Sequence, residues 1–448
     1  MLRRAYHQFS RFSYGLQAKF IIHGQNLLNK TLYFLDKEKY KVYFEKPLNQ
    51  KYMLVLAIYE KNNIRKDIIR LANEMRKNDV YILCINNARI DNKNEIEGLF
   101  DCYIERFNYG RDFGCYKQGV EYIIGKKWEE RLERIIFLND SIFFSKRQLP
   151  EFVKKLVQAR ACAVGATENF EFNYHLGSFC LSFDSKLFKH PKFRKFWQSY
   201  RLTDIRPRVI RKGEIRLTKI LMQCCPSNEV KSLYNAAQFE KFLEKDENLD
   251  FCLSVKMKPR FSWPIFDLDH VIGNFTQDYF GERFSLKDLE DIEFAEDVED
   301  KTDHQKLLIE GEKNVVLVYG KKETKKQKIL ADRIESIVRL IEKRFHIRMT
   351  ERQIETLKRY IVADLVRAFR APGSQIHKNA PHVLKMGCAI IKLDGLYRGV
   401  FDDVTILQLL SLMDEEDAPE LKALLYQRPY GLEVLTRWKQ AAFRKGYI

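Results

Sequence analysis

Residues 134–141 read Arg134-Ile135-Ile136-Phe137-Leu138-Asn139-Asp140-Ser141, an apolar run that ends in three polar residues. Continuous apolar runs of this length are typical of strands buried on both faces of a parallel sheet. Ligands of such sheets bind beyond the carboxyl ends of the strands. The stretch therefore predicts a central strand with a polar site at its end.

Three further strand candidates precede this one and alternate with helical patterns. The strand candidates cover 53–59, 80–85 and 102–107, and segments 64–75 and 113–124 carry apolar residues at helical spacing. This alternation predicts an α/β fold with a parallel sheet. The rule for ligand position then directs attention to the polar residues that follow the strands, which are Glu60, Asn86, Asn87, Asn108 and Asn139.

Beyond residue 149 the pattern predicts further strands at 161–166 and 175–183, with helices at 150–160, 185–200 and 212–224. A strongly acidic stretch at 286–303 follows, then a lone strand candidate at 315–318. Helical patterns at 330–344, 350–369 and 404–413 complete the chain. We therefore divide it into four regions: a basic N-terminal segment (1–50), an α/β domain (51–291), an acidic linker (292–312) and a mainly helical C-terminal domain (313–448).

Composition narrows the class of protein. Of 448 residues, 45% are hydrophobic, which excludes wholesale disorder. The apolar runs are far shorter than the roughly 20 residues of a membrane span, and no secretory signal is evident, so we expect a cytosolic protein. The nine cysteines lack zinc-site spacing, and most are expected to be buried thiols. Lysine and arginine exceed acidic residues by 17, which favours binding to polyanions.

The N-terminal 50 residues interleave basic and aromatic side chains. A cationic, partly amphipathic segment of this kind can lie in a membrane interface. It can equally be a helix packed against the body of the protein, and the sequence leaves both interpretations open.

Two motifs carry candidate chemistry. In Asn108-Tyr109-Gly110-Arg111-Asp112-Phe113-Gly114, the glycines permit tight turns and the following helix start can bind an anion. In Asn139-Asp140-Ser141, the carboxylate can bind a divalent cation or a sugar hydroxyl. Each motif also has a purely structural explanation, because Asp112 can be a helix N-cap and Asn139 with Asp140 can form a turn.

Together with residues 173–179 (Asn173-Tyr174-His175-Leu176-Gly177-Ser178-Phe179) and 209–218, these motifs resemble the rhamnan synthesis F family. These bacterial glycosyltransferases build rhamnose-containing cell-surface polysaccharides. The resemblance covers about 52–291. It implies a GT-A-like, Rossmann-type sheet flanked by helices, a nucleotide-sugar donor such as dTDP-rhamnose, and a lipid-linked glycan acceptor. For such an enzyme we expect work at the inner face of the cell membrane, where the basic surface and the N-terminal aromatic residues would hold it near anionic lipid. Other polysaccharide-assembly enzymes are candidate partners of the C-terminal helices.

Carried across by position, the resemblance assigns the donor site to two clusters, Asn108, Gly110, Arg111 and Asp112 with Asn139, Asp140 and Ser141. Asp140 stands where such enzymes keep an Asp-x-Asp pair. Because only one carboxylate is present, binding of Mg²⁺ or Mn²⁺ at Asp140 stays open, and nearby basic residues are an alternative means of neutralising the diphosphate.

Transfer with inversion needs a base for the acceptor hydroxyl. Glu214 is the leading candidate, Asp267 and Asp269 are the reserves, and a first-turn helix glutamate is the structural alternative. The acceptor-binding candidates are His175, Ser178, Trp263 and His270, and His270 is also a candidate metal ligand beside the reserve aspartates. For His175 and Trp263 a structural or core role is the alternative.

The net charge leaves two other classes to consider. A nucleic-acid-binding protein is disfavoured because no helix-turn-helix, RNP or zinc-finger signature is present. A non-catalytic scaffold for polysaccharide assembly would follow if the site at Asp140 were degenerate. Nucleic acid is therefore not an expected partner.

Overall fold

The computed structural model describes residues 2–91, 93–255, 266–286, 333–428 and 431–448. The chain divides into two compact units. The sheet unit comprises Met1–Asn235, Gly373–Asp402 and Leu412–Ile448, and the helical unit comprises Ala236–Pro372 and Asp403–Ser411. The predicted linker at 292–312 and the strand candidate at 315–318 lie outside the described residues.

All strands formed by the described residues belong to the sheet unit. In chain order they are β1 (Tyr40–Glu45), β2 (Tyr52–Ile58), β3 (Val80–Asn86), β4 (Cys102–Arg106), β5 (Arg134–Asn139), β6 (Ile142–Phe144), β7 (Ala163–Asn169), β8 (His175–Leu176), β9 (Cys180–Asp184), β10 (Val230–Tyr234) and β11 (Ile390–Lys392).

The main sheet has the strand order β1-β4-β3-β2-β5-β9-β7-β10. Neighbours from β4 to β5 are parallel, whereas β1 and β9 run antiparallel to their partners. In β2, β3 and β5 nearly every residue is buried, as continuous apolar runs require. The predicted α/β class with a mainly parallel, Rossmann-type sheet is confirmed.

The first nine helices in the described part of the chain belong to the sheet unit. They are α1 (Leu2–Leu35), α2 (Lys66–Lys77), α3 (Asn94–Glu97), α4 (Arg111–Gly125), α5 (Leu149–Val157), α6 (Lys186–Lys189), α7 (Pro191–Ser199), α8 (Arg206–Val209) and α9 (Arg216–Cys224). A π-helical turn, Ile210–Ile215, joins α8 to α9, and 3₁₀ turns cover Trp128–Glu130 and Ser227–Glu229.

The helical unit contains α10 (Ala236–Phe242), α11 (Asp246–Ser254), α12 (Leu268–Phe280), α13 (Ile334–Phe345) and α14 (Glu351–Arg370). The chain then returns to the sheet unit with α15 (Gln375–Lys378) and α16 (Ala380–Lys385). Helix α17 (Asp403–Ser411) belongs to the helical unit, and α18 (Asp417–Tyr426), α19 (Gly431–Val434) and α20 (Arg437–Arg444) belong to the sheet unit. The C-terminal part is mainly helical, as predicted.

The compact units do not follow the predicted boundary near residue 312. After α16, strand β11 pairs antiparallel with β6, with Lys392 opposite Ile142. The Leu393 amide also donates to the Ser141 carbonyl, at 3.2 Å. This pairing joins Gly373–Asp402, which we call the late segment, to the residues that follow β5.

Several local predictions needed correction. The single strand expected at 175–183 is two strands, β8 and β9, because a turn interrupts it at Gly177. Seven cysteines are free thiols and six of these are buried, as predicted for most of them. Cys162 and Cys225, however, form a disulfide that their spacing of 63 residues did not reveal.

Helix α1 packs on the body of the sheet unit by one face. Asn29 donates to Asp204 at 2.8 Å, Asn26 accepts from Thr203, and Ala18 is fully buried. The face that points away from the body exposes large apolar side chains, including Phe12, Leu16, Phe20, Leu27 and Phe34. Neither of the two interpretations of this segment is therefore eliminated. None of the helices in the described ranges combines the length and apolar character that a membrane span needs.

Candidate functional site

Asp140 follows β5 and is held at the carboxyl edge of the sheet, where it is partly exposed. Its Oδ2 accepts the amide N–H of Tyr59, at 2.5 Å, from the loop after β2. Its own amide donates to Ala57, at 3.1 Å. The carboxylate therefore faces polar groups at a partly open edge and is not sealed inside apolar packing.

Arg65 fixes the backbone around Asp140. Its guanidinium donates to the carbonyl oxygens of Asp140 and Ile142, both at 2.8 Å. It also makes a bidentate ion pair with the fully buried Asp67, both bonds at 3.0 Å. One arginine thus organises the end of β5 and the start of α2, and its rigid fork suits this role better than a lysine would.

Two carboxyl groups at this edge hold their protons more strongly than carboxyl groups usually do. Burial and the neighbouring Asp112 raise the pKa of Asp140 to about 6. Burial also raises the pKa of Glu60 to about 7, because Asp140 and Asp67 add to the effect and Arg65 only partly opposes it. Carboxyl groups whose pKa is shifted by burial and by each other are typical of functional sites.

The turn between β4 and α4 has an unusual backbone. Gly110 has a φ of 96°, and Arg111, which has a side chain, has a φ of 52°. The amide of Gly110 donates to Asp204 Oδ1 at 2.7 Å, and Arg111 Nε donates to the Asp204 carbonyl at 2.8 Å. A non-glycine residue with positive φ costs energy that the surrounding structure must supply, and such residues cluster at functional sites.

A continuous chain of hydrogen bonds connects this turn to the end of β5 and to β11. Asn139 donates from Nδ2 to Asp112 Oδ2 at 2.9 Å and accepts at Oδ1 from the Ser141 hydroxyl at 2.5 Å. Lys392 in turn donates to Ser141 Oγ at 2.6 Å. The two motifs that the sequence analysis singled out are therefore in direct contact. Lys392, from the late segment, binds the second motif at Ser141.

Burial lowers the pKa of Lys392, against the opposing effect of the carboxylates Asp394, Asp112 and Glu214. Asp394 binds His377 Nε2 at 2.8 Å and Arg398 Nε at 2.9 Å. Although burial opposes it, the positive charges of His377, Lys392 and Arg398 hold the pKa of Asp394 well below its usual value. The late segment thus carries an ionised aspartate and a group of cations.

Glu214 lies in the π-helical turn Ile210–Ile215 and is partly exposed. Its Oε1 accepts the amide N–H of Ser178 at 3.1 Å. The negative charge of Glu214 favours the protonated forms of both Asp112 and Lys392. Short π-helical insertions are frequent at functional sites, because they turn a side chain out of the regular helical array.

The acceptor candidates differ in what the structure does with them. His175 is buried, and its Nδ1 lies 2.8 Å from the carbonyl oxygen of Asn173. This environment agrees with the structural role that was the alternative interpretation of His175. Ser178 contacts Glu214 through its amide. Trp197 is buried among aromatic rings and belongs to the core. Trp263 lies outside the described residues.

The reserve candidates belong to the helical unit. Asp267 caps α12 by accepting from the His270 amide at 3.4 Å, and Asp269 accepts from Ser285 at 2.9 Å. The His270 ring contacts Asn274 and Arg283. Asn108 lies in the sheet unit, where it lines a cavity of about 220 Å³ with Arg106 and other residues.

The residues present offer a poor cage for a divalent cation. Within the described ranges, no group of three His, Cys, Asp or Glu side chains is placed to hold a metal ion. One oxygen of Asp140 accepts the Tyr59 amide, one of Asp112 accepts Asn139, and Lys392 stands next to Ser141. A divalent cation would have to rely on Asp140 with substrate oxygens.

The model of the family described as rhamnan synthesis protein F matches residues 80–242. The resemblance found in the motifs is confirmed over that segment, which contains Asp112, Asp140 and Glu214. Lys392 and Arg65 lie outside it.

Curated relatives cover parts of the chain. An uncharacterized protein, y4gN, of Sinorhizobium fredii is 25% identical over 173 residues, which are 37% of this chain and 45% of that protein. The virulence protein VirA of Vibrio anguillarum is 31% identical over 111 residues, which are 25% of this chain and 35% of VirA. The chain thus spans less than half the length of these relatives.

Among solved structures, the glycosyltransferase GlyE of Streptococcus pneumoniae aligns with a TM-score of 0.25 and 11% identity, covering 42% of this chain and 46% of GlyE.

Sequence reasoning missed the residues that come from outside the motifs. Arg65 stands seven residues beyond β2, and nothing in the spacing marks it as a partner of β5. Lys392 and Asp394 follow a short apolar run, Ala389-Ile390-Ile391, within an otherwise helical segment. That run was the available signal for a strand, and a strand that ends in Lys-Leu-Asp resembles the polar strand ends that led to Asp140.

Proposed function

We propose that the protein is a glycosyltransferase of polysaccharide synthesis that moves a sugar from a nucleotide-diphosphate donor to a glycan acceptor. The observation that carries the proposal is the hydrogen-bond chain from Asp112 through Asn139 and Ser141 to Lys392, beside Asp140. It places hydroxyl-binding carboxylates next to a cation at the carboxyl ends of parallel strands, where ligands of such sheets bind. The match to rhamnan synthesis protein F supports the same class of reaction.

In the reaction, the acceptor oxygen forms a bond to the anomeric carbon while the bond from that carbon to the diphosphate oxygen breaks. The electron pair of the broken bond leaves with the nucleoside diphosphate. Glu214 takes the proton of the acceptor hydroxyl, and the product has inverted configuration. The amide of Ser178 holds the carboxylate of Glu214 in place. We further propose rhamnose as the sugar, dTDP-rhamnose as the donor and a lipid-linked glycan as the acceptor.

The N-terminal helix supports work at a membrane surface. From Leu2 to Leu35 the helix contains no acidic residue, and Lys19 and Lys30 accompany the exposed apolar side chains. We propose that this face binds an anionic bilayer, where the lipid-linked acceptor resides. Flotation with vesicles of phosphatidylglycerol, but not of phosphatidylcholine, would support this, and Phe20→Ser with Leu27→Ser should abolish it. Equal flotation of the double variant would contradict it.

The transfer proposal is tested by incubating the full chain with a panel of sugar nucleotides and detecting transfer or hydrolysis by mass spectrometry. Glu214→Gln should reduce turnover by about 10²- to 10⁴-fold, as loss of a positioned base does. Asp140→Asn should also reduce it. Glu121→Gln, an exposed glutamate on α4, is the matched control and should leave turnover unchanged.

The results also separate the alternatives. A folded protein that turns over no donor, with or without Mn²⁺, would favour a scaffold. Salt-sensitive binding of homopolymer DNA would favour a nucleic-acid-binding protein. Full activity of Asp140→Asn would remove Asp140 from the site.

A further inference from the structure

Four cations gather beside the candidate site, and three of them have no anionic partner. Among the described residues, no carboxylate lies within ion-pair distance of Arg111, Arg206 or Lys392. Within the described ranges, Arg111 donates to backbone carbonyls alone, and Lys392 donates to the neutral hydroxyl of Ser141 alone. The fourth cation, Arg398, pairs with Asp394.

Arg206 is the extreme case. It is partly buried at the start of α8, and in the described part of the chain its guanidinium has no hydrogen-bond acceptor. Burial and the nearby charges of Arg398 and Arg111 lower the pKa of Arg206 to about 10. A partly buried guanidinium that has no acceptor in the described protein and lies near other cations is unfavourable for the folded protein.

The arrangement fits one kind of ligand. Guanidinium groups match phosphate oxygens in a planar, two-pronged geometry, and a lysine supplies a compact positive charge. Lys392 contacts Ser141 directly at the carboxyl edge of the sheet, and its charge interacts with those of Arg206 and Asp112. A group with several negative charges, such as a diphosphate, would satisfy the unpaired cations together.

We propose that Arg206, Lys392 and Arg111, backed by Arg398, bind the diphosphate of the donor directly and take the role of a divalent cation. This assignment rests on the proposed function and specifies how its donor is held. It also gives the late segment that contains β11 a part in binding, since Lys392 and Arg398 both come from it.

The test measures binding of dTDP, UDP and thymidine to the full chain by calorimetry in EDTA and again with Mn²⁺. Both nucleoside diphosphates should bind in EDTA and thymidine should not. Arg206→Met and Lys392→Met should each weaken binding about 10- to 100-fold, as loss of a hydrogen bond to a charged group does. Lys392→Arg should restore part of it. Arg208→Met, an exposed arginine in the same short helix, is the matched control and should bind as the unaltered chain does.

Folding defects are distinguishable from loss of the ligand site. Because Arg206 has no acceptor in the described structure, Arg206→Met should melt without ligand at the same temperature as the unaltered chain or higher. Unchanged binding of nucleoside diphosphate in both methionine variants would overturn the inference. Binding that requires Mn²⁺ would overturn it and leave the transferase proposal standing, whereas no nucleotide binding under either condition would overturn both.

A diphosphate can also come from the lipid end of the acceptor. Farnesyl diphosphate, a soluble lipid diphosphate, distinguishes the two sources. If it binds in a manner that depends on Lys392 while dTDP does not bind, the assignment of the cluster to the donor is wrong. If dTDP displaces bound farnesyl diphosphate and binds more tightly, the result supports the assignment of the cluster to the donor.

Discussion

The carboxyl edge of the sheet and the late segment around β11 are built from opposite charges. The edge supplies Glu60 and Asp140, whose pKa values rise to about 7 and about 6 because burial and like charges disfavour ionisation. The late segment supplies Lys392, whose pKa burial lowers, and Asp394, whose pKa surrounding cations depress.

The contrast shows how the two regions depend on each other. Burial disfavours the charged forms of Glu60 and Asp140 at the edge and of Lys392 in the late segment. The edge contributes negative charge and the late segment contributes positive charge. Their only direct side-chain hydrogen bond among the described site residues is that from Lys392 to Ser141. The following predictions test this division of roles.

Arg65 is expected to give the largest effect, because it organises the acidic edge. Arg65→Met leaves the buried Asp67 without its ion-pair partner and frees the carbonyls of Asp140 and Ile142. Breaking a buried pair in this way costs about 3–5 kcal/mol of unfolding free energy. Urea denaturation measures it, and Lys66→Met, exposed and adjacent in sequence, should change stability by less than about 0.5 kcal/mol. Equal stabilities would show that the edge does not depend on this arginine.

Because the pKa of Glu60 is raised in the folded protein, the free energy of unfolding should fall as pH rises. The unfolded chain releases this proton near the ordinary pKa of 4.5 and the folded protein near 7, so the folded state holds the extra proton between them. The free energy of unfolding should therefore fall from pH 4.5 to 7, by about 3 kcal/mol at most. Glu60→Gln should flatten this part of the profile, and the exposed Glu130→Gln should not. A profile with the same slope in Glu60→Gln would assign the proton to another group.

Asp394 should act with the opposite sign. Its folded pKa lies below the ordinary 3.8, so its stabilising effect is complete above that pH and disappears as pH falls through the folded value. Asp394→Asn should cost about 2 kcal/mol at pH 7, as loss of a charged hydrogen bond does, and progressively less below pH 3.8. Denaturation at pH 7 and pH 3 measures both, with the exposed Asp91→Asn as control. A cost that did not change with pH would mean that the charge of Asp394 is not what matters.

Ser141 should give the smallest effect, because its hydroxyl is neutral and joins the two regions by one hydrogen bond to Asn139 and one from Lys392. Ser141→Ala should cost about 1 kcal/mol. In a double-mutant cycle with Lys392→Met, the coupling energy should be about 0.5–1.5 kcal/mol, whereas Ser141→Ala with Arg208→Met should be additive. Additivity in the first cycle would mean that the regions touch without stabilising one another.

The sequence predicted the acidic region better than the cationic one for a physical reason. Strands β2, β3 and β5 consist mainly of apolar runs, so their carboxyl ends, and with them Asp140, could be located from hydrophobicity alone. The strand-end rule pointed to Asn139 and the family resemblance added Asp112, whereas the hydrogen bond between them is known only from the fold. These are local patterns read on neighbouring elements.

The contribution of Lys392 could not be found in this way. It depends on a three-residue strand pairing with β6 across most of the chain, and such pairing leaves almost no local pattern. The disulfide between Cys162 and Cys225 was missed for the same reason. Glu60 was singled out by the strand-end rule, but its pKa is raised by burial, with a smaller contribution from Asp140, and both depend on the fold.

The hydrogen bond between Lys392 and Ser141 joins residues 251 positions apart. During synthesis, all strands of the main sheet therefore leave the ribosome long before Lys392 does. A nascent chain would hold the acidic groups for many seconds without their countercharge, given elongation at about 5–20 residues per second. On the proposed assignment, the donor can bind only after Lys392 has been synthesised, so chains terminated before this residue should not bind the activated sugar.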